Sequence, residues 1–274
     1  MKKYVLLFLL PFFLFACSDD DNNNNPIDDN SQEKNYFPLK AGNYWFYENY
    51  DLDMQNQIKP DTKRNDSVMT ASSVTYLQKE AFPFVQYSWF INELPVETAR
   101  YHFYYEKPKL YTETKYVLPA NAVFGLPIDK IENKWIVLAD FQATNWDVFS
   151  HQFANETVQL PNLPIALKFN ANYTVKATRN TTNTKITIGS ISFDAVEVIL
   201  NHSIKGNLSY TILNFPIEVN LVQRFYFVEN IGLVKSLLES KTIEINLGTM
   251  GTQKFDIEGY QKNLVRYNVS KLSL

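Results

Sequence analysis

One cysteine, three histidines and a scatter of carboxylates are the residues of this 274-residue chain that could do covalent or acid–base chemistry. Nucleophilic catalysis needs a nucleophile with a base in reach. Cys17 lies between an apolar run and Ser18-Asp19-Asp20-Asp21, a place for modification rather than turnover. The nearest approach to a serine elbow, Gly189-Ser190-Ile191-Ser192, lacks the second glycine. His102, His151 and His202 lie far apart and share no metal-binding spacing. Asp51-Leu52-Asp53-Met54-Gln55-Asn56-Gln57 alternates oxygen ligands as a calcium loop does. However, Asn56 stands at the glycine position and Thr62 where the bidentate glutamate belongs, so the segment predicts a polar hairpin loop. Asp140, Asp147 and Glu113 neighbour aromatic residues, but a glycosidase pair comes from separate strands and has no sequence spacing. The expectation is a non-catalytic chain with no metal and no cofactor.

Aromatic side chains are the other candidates. Trp45, Trp89, Trp135 and Trp146, with 17 tyrosines and 20 phenylalanines, could form a platform for sugar rings, line a cavity for an apolar ligand, or fill a core. In a β-rich chain core filling is the favoured expectation.

The elements that must position these residues follow from composition and period. Lys2 and Lys3 precede the apolar run Tyr4–Phe15, the plan of a secretory signal and too short for a spanning helix, which needs about 20 apolar residues. Residues 18–35 are rich in Asp and Asn and cannot bury enough surface to offset ordering, so they predict a flexible tether. The expected organisation is a signal peptide at 1–16, a tether at 17–35 and a single β-rich domain at 36–274, with a subdomain boundary near 160–165 at Pro161-Asn162-Leu163-Pro164. A net charge of −3, a pI near 5.7 and no long basic run give no support to nucleic-acid binding.

Within the domain the period is close to two. Tyr101, Phe103 and Tyr105 alternate, and Glu106-Lys107-Pro108-Lys109 turns the chain into Leu110–Val117, predicting a hairpin. Ile186 and Ile188, then Val196, Val198 and Leu200, and later Ile243, Ile245 and Leu247, each mark one apolar face. Trp135–Phe141 reads as a buried strand, and Pro119–Lys134 as coil or short helix. Gly42, Gly189 and Gly232 mark strand boundaries. The fold class predicted is all-β, or β-rich with minor helix, with antiparallel sheets arranged as a curved sheet, an open barrel or a sandwich. The wealth of aromatics favours two sheets packed over a filled core rather than one sheet around a space.

Several stretches resemble known bacterial signals. Leu14-Phe15-Ala16-Cys17 resembles a lipobox, which implies acylation of Cys17 as the first residue of the mature protein. Ser18, Asp19, Asp20 and Asp21 resemble the lipoprotein export signal of Bacteroidota-type bacteria, which implies the outer face of the outer membrane. Asp66-Ser67-Val68 resembles the short site at which such bacteria attach O-glycans, implying modification at Ser67. Phe37-Pro38-Leu39 with Gly42-Asn43, Trp45 and Tyr47 is similar to the F-P-L-x-x-G-N-x-W-x-Y opening of a group of uncharacterised, lipid-anchored, all-β bacterial proteins. Thr187–Val198 and Phe225–Lys235 suit the same group. The resemblance implies a lipid-anchored protein with a binding or structural role and no catalytic residue. Its partners would be the outer membrane, through its acyl chains, and a glycan, a lipid or another envelope protein.

Overall fold

Alternation decides which way each strand faces. The computed structural model describes residues 34–118, 125–161, 163, 165–248 and 251–270. In strand β1 (Tyr44–Asp51) Trp45, Tyr47 and Asn49 point to one side and are buried, while Tyr44, Phe46 and Glu48 are half covered on the other. The chain continues through β2 (Arg64–Thr70), β3 (Val74–Tyr76), β4 (Lys79–Phe90), β5 (Val96–Glu106) and β6 (Lys109–Glu113). A helical turn, α1 (Thr114–Val117), leads toward β7 (Trp135–Asp140). A second series follows: β8 (Asn145–Val158), β9 (Leu167–Arg179), β10 (Thr184–Ile188), β11 (Ile191–Tyr210), β12 (Leu213–Val228) and β13 (Gly232–Leu238). The hairpin β14 (Lys241–Asn246) and β15 (Thr252–Ile257) precedes the last strand, β16 (Tyr260–Asn268).

Among the described residues fourteen strands form one antiparallel sheet: twelve follow the path β7-β6-β5-β4-β2-β1-β16-β13-β12-β11-β9-β8, and β3 and β10 pair beside it with β4 and β11. Its two edges, β7 and β8, are consecutive in the chain and meet at a corner. There Trp146 Nε1 donates to Val137 O (2.9 Å) and Arg179 donates through Nε to Ala143 O (3.0 Å) and through its backbone N–H to Thr144 O (2.8 Å). The sheet therefore curls into a nearly closed barrel. The all-β antiparallel fold is as predicted, and among its three arrangements the curled sheet is the one formed. The preference for a filled sandwich is corrected, because the long sheet ties its own edges together and the second sheet is only the two-stranded β14–β15 hairpin.

One other expectation changes. The strand predicted to run to Val117 stops at Glu113, where Thr114 takes Lys134 O through both its N–H (2.9 Å) and its Oγ1 (3.0 Å). The turn that results folds Tyr116 inward against Phe103 (4.9 Å between ring centres) and Tyr101 (5.0 Å). Residues 119–124 lie outside the described residues, and the rest of Pro119–Lys134 holds one short turn at Ile128–Lys130. Pro161 and Leu163 fall between β8 and β9, which pair directly with Val158 opposite Leu167.

One end of the barrel is shut by the segment before β1. Phe37 enters among Trp45, Phe84, Phe103 and Phe227, with ring centres 5.2–6.4 Å away. Asn43, fully buried, donates from Nδ2 to Pro38 O (2.8 Å) and accepts at Oδ1 from Ser270 N (3.0 Å). Trp45 Nε1 donates to Ile231 O (2.6 Å) and the Tyr47 hydroxyl to Leu233 O (2.8 Å). These bonds seat the opening segment on the β12–β13 turn. Gly232 in that turn has φ +103°, and a Cβ there would come within 3.4 Å of Trp45 Nε1. At the other end β11 and β12 extend well past the barrel, and the β14–β15 hairpin packs Ile243, Ile245 and Ile257 into the apolar core of that extension.

Replacing Gly232 by Val forces a β-branched residue into left-handed backbone beside Trp45. The expected loss is about 1–3 kcal/mol, read from urea unfolding, and an unchanged midpoint would show that this turn does not hold the closed end.

Candidate functional site

Inside the barrel, above the aromatic floor, lies a cavity of about 230 Å³. Phe37, Trp45, Phe84, Phe103 and Phe225 form its apolar part; Asn49, Gln223, Ser236 and Lys262 form its polar wall. Arg64 and Tyr260 border both the cavity and a surface recess with Asp51, Phe90 and Glu258, so they stand at its mouth. The polar residues are inward members of alternating strands. β1 carries Asn49 two places past Tyr47, β12 carries Gln223 two before Phe225, and β16 carries Lys262 two past Tyr260.

A buried ion pair organises the wall. Lys262 Nζ lies 2.7 Å from Asp66 Oδ2 and donates to Gln86 Oε1 at 2.9 Å, and Asn49 Nδ2 also donates to Asp66 Oδ2 (3.0 Å). Asp66 is fully buried. Burial alone would raise its pKa, but the Lys262 ammonium, with hydrogen bonds from Lys262, Ser88 and Asn49, holds it below the usual carboxylate range. Gln223 Nε2 donates to the Tyr260 hydroxyl (3.0 Å). Burial pushes the phenols of Tyr47, Tyr101, Tyr116 and Tyr260 upward, so all four stay neutral hydroxyls facing the interior. At the mouth Arg64 Nη1 is 2.7 Å from Asp51 Oδ1. Asn49 Oδ1 has no hydrogen-bond donor.

The sequence candidates are dispersed. Cys17, Ser18, Asp19, Asp20 and Asp21 lie outside the described residues. Trp45 alone among the tryptophans lines the cavity. Trp89 lies half-buried against Phe46 (5.7 Å), Trp135 against Tyr104 and Tyr76 (4.7 and 5.7 Å), and Trp146 at the β7–β8 corner, so the four make no row of exposed rings. Ser67 sits mid-strand in β2, between Phe46 and Tyr87 of the flanking strands.

Glu113 accepts from His102 N (3.1 Å), the Tyr76 hydroxyl (3.0 Å) and Asn133 Nδ2 (2.8 Å), and His102 Nδ1 lies 3.0 Å away. That cluster clamps β3 to the barrel exterior. Asp140 caps the backbone of Gln142 and Ala143 (3.0 and 2.8 Å), while Asp147 is exposed beside Lys176 (3.8 Å). His151 packs on Phe153 with ring centres 4.6 Å apart. In the predicted polar loop Asp53 Oδ1 accepts from Gln55 N (2.9 Å) and Gln57 N (2.8 Å). Among the described residues no cluster of three His, Cys, Asp or Glu is placed to hold a metal. Asn49, Gln223, Ser236 and Lys262 were not singled out by sequence. Their one signal was a polar residue at an inward position, which needs the register to be known.

His202 is buried beside the Tyr173 hydroxyl, with Nδ1 2.8 Å away, and burial pushes its pKa down from 6.5 to about 4. A lowered folded-state value means the neutral ring favours folding above pH 6.5, and that contribution falls away as pH drops toward 4. At about 1.4 kcal/mol per pKa unit the full loss is about 3 kcal/mol. His202→Leu should flatten the decline in melting temperature between pH 7 and 4.5; parallel curves would refute this. For the ion pair, Lys262→Met leaves Asp66 buried and uncompensated and should cost about 3–5 kcal/mol. Urea unfolding of Lys262→Met/Asp66→Asn should recover most of that loss, and a double variant as unstable as the single would show that the charge is not the cause.

No family model matches the chain, and no curated protein matches it. Two solved structures align over 86% of this chain and 99% of theirs. One, provisionally named a lipoprotein, comes from Parabacteroides distasonis ATCC 8503, with 12% identity and a TM-score of 0.46. The other, provisionally named an exported protein with YmcC-like fold, comes from Bacteroides fragilis NCTC 9343, with 9% identity and a TM-score of 0.35.

Proposed function

We propose that this chain is a lipid-anchored protein of the outer membrane, exposed at the cell surface, that binds a small molecule inside its barrel without catalysis. The observation that carries the reading is the cavity, where convergent polar side chains meet an aromatic floor, the usual composition of a ligand site. Its volume falls below the roughly 300–1,000 Å³ of sites for drug-sized molecules, which favours a small ligand over a long acyl chain. The charged side chains are engaged in pairs, Lys262 with Asp66 and Arg64 with Asp51, and none of the three histidines lines the space. That favours holding over turnover. The resemblance of Leu14–Cys17 to a lipobox and of Ser18–Asp21 to an export signal supports the address. Asn35 accepts from Asn230 N (2.7 Å) at the closed end, so the chain joins its tether opposite the mouth.

Native mass spectrometry of protein released from its own membrane tests the reading. The expected species is a chain beginning at Cys17 and carrying acyl groups, with a small-molecule adduct that denaturation removes. A chain retaining residues 1–16 would overturn the anchor, and a spectrum without any adduct would overturn the binding role. Protease treatment of intact cells reads the face of the membrane, and digestion only after lysis would reject surface exposure.

A further inference from the structure

Resting on the reading of the barrel as a binding site, we infer that its ligand is a neutral, hydroxyl-rich molecule of monosaccharide size. Three features of the wall lead there. First, charge is already balanced. Lys262 is paired with Asp66 and Arg64 with Asp51, so a ligand bearing net charge would enter with no counter-charge left to meet it, at a desolvation cost. This disfavours both carboxylates and amines.

Second, the wall holds an acceptor that lacks a hydrogen-bond donor. Asn49 lines the cavity, is nine-tenths buried, and spends its amide on Asp66, while its Oδ1 has no donor. A buried acceptor without a donor costs about 1–3 kcal/mol, which a ligand O–H recovers and an acyl chain cannot. Donors are also present, since Lys262 uses two of its three ammonium protons on Asp66 and Gln86, and the hydroxyls of Tyr101 and Tyr116 line the space. Groups that give and take hydrogen bonds at once are hydroxyls.

Third, the floor is aromatic. Phe84, Phe103 and Phe225 offer ring faces and edges to the C–H side of a ring-shaped polyol. The volume holds roughly seven waters at about 30 Å³ each, which is room for one sugar ring and not for an oligosaccharide.

The test is equilibrium binding and thermal shift of the full-length protein with a fixed panel: hexoses, N-acetylglucosamine and myo-inositol as neutral polyols, hexanoate as the anion, hexylamine as the cation. At least one polyol should bind and raise the melting temperature while hexanoate and hexylamine do not. Asn49→Leu should weaken that polyol about five- to tenfold, the effect of one hydrogen bond. Because Asn49→Leu also removes a bond to Asp66, Ser236→Leu serves as the second variant. It fills the cavity while leaving the Asn49, Asp66 and Lys262 contacts in place, and should abolish binding. A stronger response to hexanoate or hexylamine, lost in Ser236→Leu, would overturn the ligand class and keep the cavity as a site. Polyol binding unchanged in Ser236→Leu would place the site elsewhere and overturn the inference. No response to any probe, with the parent and Ser236→Leu melting alike, would mean the wall serves ordered water only, and the binding reading would fall with it.

Discussion

β1 hydrogen-bonds to β2 on one side and to β16 on the other, and that double pairing turns two meanders into one barrel. The first meander, β1 to β7, and the later strands share the β1–β16 ladder, so the barrel depends on a pairing between residues more than 200 positions apart. Register across this splice decides the interior. With Trp45 inside, Tyr47 and Asn49 are inside, opposite Asp66 and Arg64 of β2 and Leu264 and Lys262 of β16. A slip of one residue along β2 would turn Asp66 outward, and one along β16 would turn Lys262 outward, so either parts the pair. The Lys262–Asp66 bond crosses β1 from strand to strand and can form in only one of these registers. It contributes modest net stability against an apolar replacement, but it penalises the wrong pairing heavily.

The closed end has a similar logic built from hydrogen bonds to backbone. Trp45 and Tyr47 are the largest inward side chains of β1, and each gives its polar hydrogen to a carbonyl of the Ile231–Leu233 stretch. The ring fills space while its N–H or O–H satisfies a turn carbonyl that the ladder leaves open. Asn43 does the same for Pro38. The F-P-L-x-x-G-N-x-W-x-Y stretch is thus a closure device, and Gly232 is the place where a side chain would collide with it. One short motif and one distant turn hold each other.

Much of this was legible in alternation alone. Tyr101–Tyr105, Ile243–Leu247 and Val196–Leu200 are strands with the apolar face predicted, because period two survives wherever one face is buried. Gly42, Gly189 and Gly232 have φ of +85°, +60° and +103°; Gly189 separates β10 from β11 as its spacing indicated, whereas Gly42 precedes the first strand and Gly232 opens β13. A curved sheet was among the arrangements expected, but the choice between it and a sandwich was not legible, because it depends on where β7 meets β8 and on Arg179 reaching back across that corner. Nor was the cavity wall. Tyr44–Tyr50 is aromatic at inward and outward positions alike, so nothing marks Asn49 as interior. Lys262 lies among Gln261 and Asn263, where polarity suggests solvent. Each is exposed by local pattern and buried by pairing.

The energetics of the interior sharpen what that burial means. A dry void of 230 Å³ would cost about 5 kcal/mol at ~24 cal/mol per Å³, comparable with the whole net stability of a typical domain, about 5–15 kcal/mol. Closing it is chemically simple. Leucine at Ser236 and phenylalanine at Gln223 would occupy the space with residue types the chain uses throughout its core. The interior instead carries an ion pair, three amides and four phenols around the opening, each needing partners that a filled apolar core would not require. Folding alone gains nothing from this arrangement beyond the single register lock of Lys262 and Asp66. Gln223 and Ser236 are dispensable to that lock, and under the binding role proposed above an occupant that answers their hydrogen-bonding groups would account for why they face inward.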